Sequence, residues 1–114
     1  MNIKKGDVFW VSPNETNQIE SDYAHPCVVI QEDTSNKLIV CTLTSNLKKA
    51  KFIGNILLEA DEANLPKQSV IEVAKVFTIN KTQLGEYIGT LAEQRIHQVL
   101  AGMNFIQAMT QHHE

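Results

Sequence analysis

His25-Pro26-Cys27-Val28-Val29-Ile30, a turn over Asp33 to Asn36, and then Lys37-Leu38-Ile39-Val40-Cys41-Thr42-Leu43 decide how this chain folds. β-branched residues crowd both apolar runs, and each run is short, as strands are. The two therefore read as strands joined by a turn. Pro26 is tolerated at the first position of a strand, where a missing N–H need not break a central ladder. Thr44-Ser45-Asn46 closes the second strand with three small hydrogen-bonding side chains.

Working outward, Gly6-Asp7 precedes a short strand, Val8 to Val11, and the polar stretch Ser12 to Ala24 reads as a loop. Downstream, Lys48, Lys49 and Lys51 make a lysine-rich loop. Asn55 to Glu59 reads as a strand and Asp61 to Lys67, with Pro66, as a turn-rich connection. Ser69 to Thr78 reads as a strand bent near Ala74, Asn80 to Leu84 as one helical turn, and Tyr87 to Thr90 as a last strand. Thr90 with Glu93 three residues on has the pattern of a capping box. Ala92, Ile96, Val99, Leu100, Met103 and Ile106 then recur at helical spacing. The expectation is a single domain spanning 1–114, mainly β with a C-terminal α-helix. A small SH3-like barrel occupies about residues 5–90, and a helix over about 91–110 covers one opening. Ala101, Phe105, Ala108 and Met109 fall on the other side of that helix, which predicts a homodimer contact or a partner protein there.

With 114 residues, 43% of them hydrophobic, the chain suits one modest core. No apolar run approaches the roughly 18 residues needed to span a membrane. Met1 to Gly6 is polar and lacks the apolar core of a signal peptide, so a cytoplasmic location is expected. Cys27 and Cys41 lie in apolar runs without metal-ligand spacing and read as free, reduced core thiols. The net charge of -3 argues against a dedicated nucleic-acid binder. Its distribution does not: from Thr34 to Leu58 there is no Asp or Glu, while Lys37, Lys48, Lys49 and Lys51 are present. That stretch is either a phosphate-attracting face or an ordinary solvated loop.

Six segments in order resemble the MazF/PemK toxin family: Lys5 to Val11, His25 to Ile30, Leu43-Thr44-Ser45, Leu65 to Val70, Phe77 to Leu84, and Ile88 to Leu91. The resemblance implies an SH3-like barrel that dimerises and cleaves single-stranded RNA without a metal or other cofactor. It also implies a cognate antitoxin as partner. One departure stands out. Many members carry a glycine-rich Glu-Gln-x-Gly loop followed by a catalytic arginine, whereas this chain has Ile19 to Ala24 and then His25. Its only arginine is Arg95.

Metal-free RNA cleavage needs removal of a 2′-hydroxyl proton, stabilisation of charge on the phosphate and protonation of the leaving 5′-oxygen. Histidine suits the proton transfers because it titrates near neutral pH, which makes His25 the first catalytic candidate. Thr44 is the second, its hydroxyl donating to a phosphate oxygen. Ser45, Asn46, Lys48, Lys49 and Lys51 are candidates for holding the RNA backbone, and Tyr23 for stacking a base. Trp10 is a second candidate for stacking a base, although at such a position it is more often core or interface. The bland alternatives are a strand-capping His25 and a Thr44 that is simply a good β-former. His112 and His113 read as a chain-end tail, and no Gly-rich phosphate loop, HExxH or Cys/His cluster appears. A protein-targeting or non-catalytic module on the same barrel is the competing reading, since fold alone does not fix function.

Overall fold

The structure, a computed structural model, describes residues 2–12, 24–34 and 36–111. Six strands form one antiparallel sheet: β1 (Asp7–Val11), β2 (His25–Thr34), β3 (Lys37–Thr44), β4 (Ile56–Leu57), β5 (Val70–Asn80) and β6 (Leu84–Thr90), in the order β4-β5-β3-β2-β1-β6. The helix α1 (Glu93–Gln111) follows. The expected mainly β architecture with a C-terminal helix is therefore what the chain adopts.

A three-residue 3-10 turn, Lys81–Gln83, links β5 to β6, although those strands stand four places apart in the sheet. Four strand spacings amount to about 19 Å in a flat sheet. Four residue steps from Asn80 to Leu84 reach at most about 14 Å. The sheet must roll up, and register shifts in β2 between Val29 and Gln31 and between Glu32 and Thr34 supply bending points. Gln83 fixes the seam. Its side chain accepts from the Asn80 N–H at 2.9 Å and donates to the Ser12 carbonyl at 2.9 Å. The Lys81 N–H donates to the Asn36 carbonyl at 2.9 Å.

Rolling buries both faces of the central strands. Val8, Val28, Cys41 and Leu43 join Ile96 and Val99 of α1 in one cluster. Their neighbours Phe9, Cys27, Val29 and Val40 join Leu38 and Ile79 in another. This explains why the β2 and β3 sequences are continuous apolar runs, not alternating ones. Between the pairs Cys41–Val76 and Leu43–Ile71 the β3–β5 register slips, so β5 bulges around Ala74 as its sequence suggests.

Three expectations need correction. Thr90 does not cap α1: it ends β6, and its hydroxyl donates to the buried Asp7 carboxylate at 2.8 Å. The Ala92 carbonyl instead receives the first helical bonds, from Arg95 and Ile96. The strand expected over Asn55 to Glu59 shrinks to Ile56–Leu57. Asn55 uses its side chain to bridge the Val73 N–H and the Lys49 carbonyl, and the Glu59 N–H turns to the Glu62 carboxylate. The lysine loop is a 3-10 turn, Leu47–Lys51, capped by the Asn46 side chain.

The connection from β4 to β5 holds three non-glycine residues with left-handed backbone: Asp61 (φ 69), Ala63 (φ 53) and Asn64 (φ 56). Such conformations cost of order 1 kcal/mol each and need outside support. Arg95 provides it. Its guanidinium donates to both Glu62 carboxylate oxygens, at 2.7 and 3.0 Å. The clamp presses Ala63 onto β6, where a Cβ built on Gly89 would lie 2.1 Å from the Ala63 carbonyl oxygen.

Two outcomes follow from this arrangement. Gly89→Ala should destabilise the fold by about 3 kcal/mol, because backbone has to move to admit one methyl group; thermal unfolding followed by circular dichroism measures it. The Arg95 hydrogen bond holds the Glu62 carboxyl below its ordinary value of 4.5. The pair's contribution, about 1 kcal/mol, is therefore complete above that value and lost as pH falls through the depressed one. The melting temperature of Glu62→Gln should lie below wild type at pH 7, and the gap should close in acid.

Candidate functional site

Three strand ends and one loop meet around a cleft of about 320 Å³. From β1 comes Trp10, from β2 His25 and Pro26, and from β3 Leu43 and Thr44 with Ser45 just beyond. The loop Leu65 to Ser69 forms the opposite side. Pairing explains the convergence. Val11 faces His25 across β1 and β2, and Cys27 faces Thr42 across β2 and β3. Continuing that antiparallel register sets His25 opposite Thr44. Thr44 in turn faces Val70, which anchors the loop behind it.

The structure thus brings His25, Thr44 and Ser45 to one cavity. Thr44 is half-buried, and its oxygen accepts the Asn46 N–H at 3.1 Å. Among the described residues, no acceptor takes the Thr44 hydroxyl hydrogen. Ser45 is exposed at the rim. Asn46 is committed differently: its side-chain oxygen accepts the Lys48 N–H at 3.2 Å, which caps the lysine turn. Lys48 and Lys51 are exposed on that turn, outside the cleft lining, while the Lys49 ammonium sits 5.1 Å from the centre of the Phe52 ring. Tyr23 lies outside the described residues, as do Glu20 and Asp22 in the same loop.

Trp10 is half-buried in the cleft wall with Pro26, Leu65 and Pro66, an apolar surface of the kind that receives a base. Lys67 and Ser69 also line the cavity. Sequence reasoning picked out neither as a site residue. Lys67 and Thr44 are 23 positions apart, and no local pattern joins a post-proline lysine to a strand-end threonine. No Asp or Glu is among the described residues lining the cleft. On the same sheet, Glu72 is buried, accepts from the Thr42 hydroxyl at 3.0 Å and pairs with Lys75 at 3.3 Å.

Other chemistries find no support among the described residues. No group of three or more His, Cys, Asp or Glu side chains is gathered where a metal could sit. Cys27 and Cys41 are buried and unpaired, and burial pushes both thiols up to about 12. They stay protonated at neutral pH and are poor nucleophiles. No described helix is long and apolar enough to cross a membrane.

Comparison with known proteins gives a consistent result. The sequence pattern of the family described as "PemK-like, MazF-like toxin of type II toxin-antitoxin system" matches residues 4–106. A Mycobacterium tuberculosis protein named endoribonuclease MazF6 is 30% identical over 108 residues, covering 90% of this chain and 95% of its own. A Staphylococcus epidermidis protein named endoribonuclease MazF is 32% identical over 101 residues, covering 85% and 84%. Among solved structures, MazF from Deinococcus radiodurans superposes with a TM-score of 0.74 at 14% identity, covering 93% of this chain and 96% of that one. A mycobacterial endoribonuclease in complex with its cognate antitoxin gives 0.69 at 13% identity, covering 95% and 96%. At such identities the superpositions speak for the fold.

Proposed function

This chain belongs to the PemK-like, MazF-like toxin family, and on that premise we propose that it is the endoribonuclease of a toxin–antitoxin pair, cutting single-stranded RNA at the His25–Thr44 cleft. The observation that carries the reading is the convergence of His25 with Thr44 and Ser45, from two separate stretches of chain, on one cavity. The endoribonuclease names of relatives that cover most of both chains support it.

In the reaction, the RNA 2′-oxygen attacks the adjacent phosphorus and the bond to the 5′-oxygen breaks. One fragment ends in a cyclic phosphate and the other in a 5′-hydroxyl. His25 takes up the 2′-hydroxyl proton, and the leaving oxygen gains one. The Thr44 hydroxyl donates to a non-bridging phosphate oxygen, a role in which a positioned donor contributes a few kcal/mol. Trp10 stacks a base. Ser45 and the exposed Lys48 and Lys51 hold the flanking backbone, with Lys49 beside them. A strand-separated substrate fits best, since a stacked base must be free of its duplex partner.

An antitoxin partner follows from the family's description, and one structural neighbour is seen with its antitoxin. A homodimer is supported by α1, where Phe105 is 55% exposed and Leu100 and Met109 are each 37% exposed. One domain spanning the chain is supported by its single rolled sheet. The cytoplasm, where RNA and reduced thiols are found, is the proposed location.

Purified protein incubated with long single-stranded RNA in EDTA should yield fragments with 5′-hydroxyl ends. His25→Ala should lose roughly a hundredfold or more of the cleavage rate. Fully active His25→Ala, or RNA binding without cleavage, counts against the reading. Replacing Lys48, Lys49 and Lys51 together with glutamine should weaken RNA binding and reduce its salt dependence, because fewer counterions are released. An unchanged salt slope removes the lysine turn from the interface.

A further inference from the structure

We propose that Lys67 is a catalytic residue of this cleft, supplying the fixed positive charge that the scissile phosphate requires; the proposal rests on the ribonuclease reading above. Attack by the 2′-oxygen adds negative charge to a phosphodiester that already carries one. Protein groups that stabilise such charge act best when held in place beforehand. His25, if it is the proton acceptor, must be neutral to act, so it cannot also be the cation. Of the described residues lining the cavity, Lys67 alone carries a permanent charge at neutral pH, and no carboxylate lining the cavity opposes it.

The backbone around Lys67 is pinned on both sides. Leu65 is buried, and its N–H donates to the Glu62 carbonyl at 3.1 Å. The Gln68 amide reaches back to the Leu58 carbonyl at 2.8 Å. Ser69 is buried and its hydroxyl donates to the Lys67 carbonyl at 2.9 Å. The loop is therefore a rigid mount. The Lys67 side chain is exposed and forms no ion pair with a described residue. Other lysines are spent elsewhere: Lys75 pairs with Glu72, Lys81 with Glu32, and Lys49 lies over Phe52. Placement, charge and freedom from competing partners coincide only at Lys67 among the described lysines of this region.

The step balances without a co-reactant. The 2′-oxygen–phosphorus bond forms, the phosphorus–5′-oxygen bond breaks, and one proton leaves the 2′-oxygen as another reaches the 5′-oxygen. Lys67 keeps its protons throughout and contacts a non-bridging oxygen as charge builds there.

The test compares wild type, Lys67→Met and Lys67→Arg in EDTA, following one cleavage position of a long single-stranded RNA under single-turnover conditions. The Lys67→Met rate at saturating protein should fall roughly a hundredfold, with an unchanged thermal melt. Binding of an uncleavable 2′-deoxy analogue should weaken less than tenfold. Lys67→Arg should recover most of the rate. Wild-type rate in Lys67→Met overturns the proposal, as does a loss confined to binding. A wild type that cuts no RNA overturns the ribonuclease reading, and this proposal with it.

Discussion

A three-residue link that cannot stretch across a flat sheet is the constraint on which this molecule depends. Lys81–Gln83 joins two strands four places apart, so the sheet has to close on itself. Gln83 makes the closure specific by satisfying the Asn80 N–H and the Ser12 carbonyl, groups that would otherwise be left at a strand junction. The ends of the neighbouring strands β3, β2 and β1 share one rim, and the cleft lies there. The helix then covers the cluster that contains Val8, Val28 and Leu43.

The side of the cleft facing those strand ends belongs to the least regular part of the chain. The segment from Asp61 to Ser69 contains three left-handed non-glycine residues and yet is firmly held. Arg95 grips Glu62, Gly89 admits Ala63 at close range, and Leu65 is buried in the core. Local strain is tolerated because tertiary contacts over-determine the segment. The only arginine of the chain thus has a structural task outside the cleft lining, where the charged side chain is a lysine.

The distribution of charge also resolves an apparent conflict. A net charge of -3 suits a nucleic-acid enzyme poorly when taken over the whole chain. Substrate meets a local field, however, and none of the cleft's described lining residues is acidic. The carboxylates are placed elsewhere, as with Glu62 on Arg95, Glu32 on Lys81 and Glu72 against Thr42 and Lys75. Buried thiols with raised pKa values add no competing nucleophile.

By itself the sequence determined the strand-rich class, the terminal helix and the pairing of the two runs around Asp33 to Asn36, because these depend on local periodicity and β-branched composition. It also singled out His25 and Thr44, since Thr44 ends a visible strand and His25 begins one. It did not determine where Thr90 points: a hydroxyl before an acidic residue suits a cap, but buried Asp7, 83 positions away, claims it. Nor did it shorten the strand at Asn55, whose side chain is drawn to Val73 and Lys49. Trp10, Lys67 and Ser69 joined the cleft for the same reason. Their meeting depends on how far the sheet rolls and where the clamped turn settles, and both are set by contacts between residues distant in sequence.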